Sequence, residues 1–198
     1  GIITEARLAL VKPKPYTRLL VIFLKEIESL AHVVNHVLEF KPESFEFYDD
    51  HTFKIGIKFF PEIMRRLKGN AIRLAYNFLP EFFMILTGGI PKLVLLAEFT
   101  GDTPEEADEK ARKAHESLKE FKNISAKMTK SEMEAEKYWL FRRESFNLLR
   151  QKIRGLRTAP FIDDFVVRPE HLPHFLPKLY TILNSYKIIY TLACHVGD

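Results

Sequence analysis

Twice in this chain a short apolar strand runs into a helix-period segment and then into a second strand, an order that few architectures accept. Residues 19–24 form a continuous apolar run of strand length. Behind it Ile27, Leu30, Ala31, Val34, Val37 and Leu38 recur at helical spacing. Residues 44–48 then alternate, with Phe45 and Phe47 on one face and Ser44, Glu46 and Tyr48 on the other. The same order returns as a strand over 92–99, a helix opened by Thr103-Pro104-Glu105-Glu106, and a strand over 124–128. Thr103 and Glu106 make a capping box and Pro104 occupies the first helical position, so the start of this helix is fixed locally. A second box, Ser131-Glu132-Met133-Glu134, opens a helix expected to reach about Ile153. A third unit follows: a strand over 161–167, a helix over 169–184 and a strand over 187–193.

These units predict an α+β fold similar to the ferredoxin-like arrangement, an antiparallel sheet with helices packed mainly on one face. A Phe-rich helical insertion over about 51–89, punctuated by Pro61, Gly69 and Pro80, adds to it. With 198 residues and 46% hydrophobic content the chain can bury a core, which excludes disorder as its ground state. The formal charge of +4 is spread thinly, because 30 basic residues interleave with 26 acidic ones. No basic run alternates with aromatics as a base-stacking surface requires, so nucleic acid is not an expected partner. Cys194 has no internal disulfide partner, which points to a reducing compartment, the cytoplasm. No apolar stretch reaches the ~20 residues of a membrane span. Residues 54–86 mix Lys58, Arg65, Arg66, Lys68 and Arg73 with Phe, Ile and Leu, so peripheral contact with the inner face of a membrane stays open.

Both ends read as interrupted. Residues 1–11 alternate like a strand already under way, and the last residues form a β-branched strand that stops at a turn signal. Sequence is therefore expected on either side, and uncovered sheet edges favour self-association.

No glycine-rich phosphate loop, CxxC pair, HExxH or nucleophile elbow is present. Two places offer chemistry. His195, at the end of a strand and ahead of Gly197 and Asp198, can present a ring nitrogen at a sheet edge as a metal ligand or proton-transfer group; it can equally bond to backbone. Trp139, Arg143, Phe146, Asn147 and Arg150 share one helix face, the composition of a small anion pocket. The plain alternative is an arginine that snorkels from a packed face or pairs with Glu136 or Glu144.

Four stretches, in order, resemble the C-terminal domain of FAD-linked oxidases, the group that holds D-lactate dehydrogenase, the glycolate oxidase flavin subunit and D-2-hydroxyglutarate dehydrogenase. Gly1-Ile2-Ile3-Thr4-Glu5-Ala6 is similar to the end of a flavin-domain segment, G-T-L-G-I-I-T-E-A. Phe141-Arg142-Arg143-Glu144 is similar to a substrate-helix motif with an Arg-Glu pair. Residues 161–169 resemble a strand that carries an acid and ends in proline, and Leu192-Ala193-Cys194-His195-Val196-Gly197-Asp198 resembles the first part of G-H-x-G-D-G-N-x-H. Cys194 departs from the usual glycine, and Arg142 fills the place before the Arg-Glu pair.

The resemblance implies that residues 1–11 are the tail of a flavin-binding domain and that 12–198 are a substrate-covering cap, cut short at its C-terminus. It implies FAD as cofactor, a D-2-hydroxyacid of the lactate, glycolate or 2-hydroxyglutarate type as substrate, and hydride transfer from C2 to the flavin. Arg143 would hold the substrate carboxylate and Asn147 a substrate oxygen. His195 would ligate a divalent metal such as zinc that polarises the 2-hydroxyl. Gly1, Ile2 and Ile3 would lie against the ADP portion of FAD, the base would lie downstream, and the isolated chain would be inactive. The competing reading is a stand-alone ferredoxin-like binding or regulatory module with no enzyme activity.

Overall fold

The structure, a computed structural model, describes residues 2–58, 89–152, 165–186, 188 and 190–196, with side chains of 55–58 and 144–152 outside that description. Chain order is β1 (Tyr16–Leu24), α1 (Leu30–Leu38), β2 (Ser44–Asp49), α2 (Asp50–Lys58), β3 (Leu93–Gly101), α3 (Pro104–Ser117), β4 (Ile124–Met128), α4 (Glu132–Lys152), α5 (Leu172–Ser185) and β5 (Ala193–His195). The sheet runs β4-β1-β3-β2-β5 and every neighbouring pair is antiparallel. The crossover through α1 steps over β3, and the crossover through α3 steps over β1. This is the ferredoxin-like arrangement expected from the repeated units, with β5 added beside β2.

The continuous apolar run of β1 is explained by burial on both sides. Leu20, Ile22 and Leu24 face one cluster, with Phe45, Phe47, Leu95 and Phe99, under α1, α3 and α5. Leu19, Val21 and Phe23 face a second, with Tyr48, Val94 and Leu96, under Phe53 of α2 and Tyr138, Leu140 and Phe141 of α4. Both capping boxes form. Thr103 accepts from the Glu106 N–H at 3.2 Å, and Ser131 accepts from the Glu134 N–H at 3.2 Å. In each, the glutamate reaches back to the N–H of the residue before the cap, Asp102 at 2.8 Å and Lys130 at 2.7 Å. Gly101 ends β3 where a Cβ would meet the Ala107 nitrogen at 2.6 Å, so the first turn of α3 seats directly on the strand end.

Three expected strands differ. Residues 2–15 form none: Ile2 and Leu10 are 92% and 93% exposed, because the segment has no neighbouring strand among the described residues to pair with. Residues 165–167 are not a strand either; Phe165 packs on the Phe175 ring of α5 at 5.0 Å while Val166 faces solvent, and residues 161–164 lie outside the described part. The last strand begins at Ala193 rather than near 187. It pairs with Tyr48, Phe47 and Glu46 of β2, one further backbone bond joins the Asp49 N–H to the Leu192 carbonyl, and β2 then turns into α2 at Asp50, which ends the ladder. Most of the expected insertion, 59–88, lies outside the described residues, as do Gly1, Gly197 and Asp198. Among the described residues no helix is long and apolar enough to cross a membrane.

Candidate functional site

The alternation of β2 decides what lies under α4. Phe45 and Phe47 enter the α1/α3/α5 core, which leaves Ser44, Glu46 and Tyr48 on the opposite face. Tyr48 is sealed by Phe53, its ring stacked at 6.4 Å, but Ser44 and Glu46 lie beyond that apolar patch. There α4 crosses with Glu136, Trp139, Arg142 and Arg143, and together with Glu98 of β3 these residues line an open cleft of about 570 Å³. Residues opposite in an antiparallel ladder point to the same face, and Glu46 stands opposite His195 of β5. The histidine therefore opens onto the same side of the sheet.

One carboxylate stands between two nitrogen-bearing groups. Arg142 Nε lies 2.8 Å from Glu46 Oε2, and His195 Nδ1 lies 4.0 Å from Glu46 Oε1. Arg142 and Glu46 are largely buried, whereas His195 is 55% exposed. Arg143 pairs with Glu136 on its own helix and is itself 55% exposed, the plain alternative open at the sequence level. Glu98 faces the same cleft. Burial pushes its carboxyl above the ordinary range, a hydrogen bond from Trp139 opposes that, and nearby Glu43 and Glu46 add to it.

The residues singled out from sequence are thus partly gathered. Arg143 and His195 share the face built around Glu46. Asn147 falls on α4, with its side chain outside the described part. Ile2 and Ile3 sit in the exposed leading segment. Sequence reasoning missed Arg142, Glu46 and Glu98. The polar face of β2 was a visible signal for Glu46; for Arg142 the choice hung on one residue, about 100° of helix rotation.

A second polar group gathers where β2 turns into α2. Asp49, Asp50 and His51 bring potential ligand atoms within 4.8 Å of one another. Each already has a structural task. Asp49 Oδ1 caps α2 by accepting from the Thr52 N–H at 2.9 Å, and it also accepts from the Leu192 N–H at 3.3 Å. Asp50 pairs with Lys54 at 2.7 Å and with Lys92 at 3.6 Å. His51 Nε2 meets the Tyr190 hydroxyl at 3.2 Å, ring stacked on ring. Burial raises the Asp49 carboxyl above its ordinary range, against the bonds from Thr52 and Leu192.

A family model described as FAD linked oxidases, C-terminal domain, matches residues 13–198. The chain is also similar to the D-2-hydroxyglutarate dehydrogenase of Pseudomonas putida, with 21% identity over 199 residues that cover 99% of this chain and 18% of that protein. It thus spans under a fifth of the length of the curated relative it matches.

Proposed function

The chain belongs to the FAD-linked oxidase C-terminal domain family, and from that premise we propose that it is the substrate-covering part of a flavoenzyme that oxidises a D-2-hydroxyacid by hydride transfer to FAD. The observation that carries the reading is the one-sided cleft lined by Arg142, Arg143 and Glu46, with His195 4.0 Å from Glu46 on the same face of the sheet. A 2-hydroxyacid offers a carboxylate and, one carbon away, a hydroxyl. A guanidinium suits the first and an imidazole nitrogen the second. Arg142 is the stronger candidate for the carboxylate, because it is tied to the sheet strand that pairs with β5, whereas Arg143 pairs with Glu136 of its own helix. Arg143 and Asn147 would extend the grip toward a longer acid, and the name of the Pseudomonas relative supports the 2-hydroxyglutarate type.

FAD, when bound, accepts the hydride from C2. The leading segment with Ile2 and Ile3 is exposed. The flavin would be held by a domain outside residues 12–198, with residues 1–11 at its end; the family match beginning at residue 13 supports that boundary. A divalent metal at His195 does not fit the described set: the one carboxylate beside it is shared with a guanidinium, which opposes a second cation. The work left to this domain is to bind the acid, orient its C2–H and accept a hydrogen bond from its hydroxyl at His195.

The test is anaerobic mixing of the full-length flavoprotein with D-lactate, glycolate and D-2-hydroxyglutarate in turn. At least one should bleach the oxidised flavin, and Arg142→Ala should remove that response. A flavin that stays oxidised with all three acids defeats the proposal.

A further inference from the structure

The hydride reading leaves Glu46 without a task, and on simple charge grounds it is a liability. It adds a negative charge where an anion is to bind, beside Glu98 and Glu136. Its placement is nevertheless specific. It lies in the middle of β2, flanked by Leu96 of β3 on one side and His195 of β5 on the other, so its backbone is held by ladders on both sides. Its two oxygens face different partners, Arg142 on α4 through Oε2 and His195 on β5 through Oε1. The other carboxylates of the cleft are engaged elsewhere, Glu98 by Trp139 and Glu136 by Arg143.

We propose that Glu46 is a positioning residue that sets Arg142 and His195 at one fixed spacing, matched to the carboxylate and hydroxyl of a 2-hydroxyacid; the identity of that ligand rests on the function proposed above. A carboxylate is rigid and planar, so a guanidinium on one oxygen and an imidazole on the other are fixed relative to each other. The Arg142 contact is a close ion pair through Nε rather than an aligned hydrogen bond. Nδ1 of His195 is the ring nitrogen nearer Glu46, which fixes which edge of the imidazole faces the carboxylate. The 4.0 Å separation is too long for a direct hydrogen bond, so the carboxylate acts on the imidazole as a fixed neighbouring charge.

Charge and positioning predict opposite signs, which makes the idea testable. Glu46→Gln removes a negative charge at almost constant shape. If Glu46 were only a charge, D-2-hydroxyglutarate and D-lactate would bind more tightly after the change. Positioning requires weaker binding, by roughly tenfold or more, since a displacement of about 1 Å at such a site costs that much. Glu46→Asp keeps the charge but shortens the reach, and should weaken binding as well. Nitrogen NMR of the ligand-free chain supplies a readout that does not depend on the acid: Glu46→Gln should shift both the Arg142 Nε–H signal and the His195 ring nitrogens. Tighter binding in Glu46→Gln, wild-type binding in Glu46→Asp, or a shift at only one of the two side chains overturns the proposal. The binding measurements use the full-length flavoprotein; if both signals shift and neither acid binds even its wild-type form, the hydroxyacid reading fails and the positioning role stands.

Discussion

The two faces of the sheet are built from the same strands and come out differently. Under α1, α3 and α5 the contacts are Leu, Val, Phe and Ala throughout, and the layer is sealed. Under α2 and α4 the packing begins in the same way, with Tyr48, Phe53, Tyr138 and Phe141, but gives way along β2 and β3 to Ser44, Glu46 and Glu98. The difference teaches where a site can be placed without sacrificing the core. β1 and most of β3 are apolar on both faces and hold the sheet together, while β2, near the edge, alternates strictly and can present charge on one side.

The largest way to sharpen that contrast is to cut into the sealed face. Phe47→Ala should lower stability by about 3–5 kcal/mol in denaturant unfolding, because a fully buried ring between α-helical and strand neighbours leaves a cavity. The Glu46→Gln change one residue earlier in the same strand should cost no more than about 1 kcal/mol. A loss at Glu46 as large as that at Phe47 would break the division between a packing face and a working face.

Matched caps give a middle-sized comparison. Thr103→Ala and Ser131→Ala remove equivalent side-chain acceptors at the starts of α3 and α4, and each should cost about 1 kcal/mol. Hydrogen exchange should separate them: the second should raise exchange in α4 and beneath the cleft, the first only along α3.

The smallest effect is in pH. Glu98 and Asp49 are both raised by burial, so between the ordinary carboxylate range and their folded values the native state holds more protons than the unfolded one. Their contribution to stability is present at low pH and falls as pH rises through that window. Glu98→Gln should flatten the fall, and Phe47→Ala should leave its slope unchanged. Glu106 works with the opposite sign: Lys110 first, then the Asp102 N–H and Lys14, hold its carboxyl down to about 2, and the stability it adds is lost as pH drops toward that value. Unfolding midpoints measured across acid pH test both signs.

Much of the fold was legible because it rests on local rules. The boxes at Thr103 and Ser131 and the strand over 124–128 stand where short-range pattern put them, since caps and alternation are decided within a few residues. The site was harder. Choosing Arg142 over Arg143 needs the rotation of α4 about its axis, which is set by Tyr138 and Phe141 packing on a strand more than a hundred residues earlier in the chain. The start of β5 needs the end of β2. Residues 2–15 show the converse, an alternating pattern that makes no strand without a partner.

The corner between β2 and α2 carries a consequence for how the molecule assembles. Leu192 is gripped there at both its backbone groups: its carbonyl accepts from the Asp49 N–H at 3.1 Å and from the Thr52 hydroxyl at 3.3 Å, and its N–H donates to Asp49 Oδ1. The partners are 140 and 143 residues apart in the chain, yet the receiving half is a strand-to-helix turn that closes within four residues. The turn can form early from local contacts, whereas the loop that brings Leu192 to it is among the longest in the molecule and closes late. His195 stands three residues beyond that grip, so Asp49→Ala should raise hydrogen exchange at β5 before it does so in the rest of the sheet.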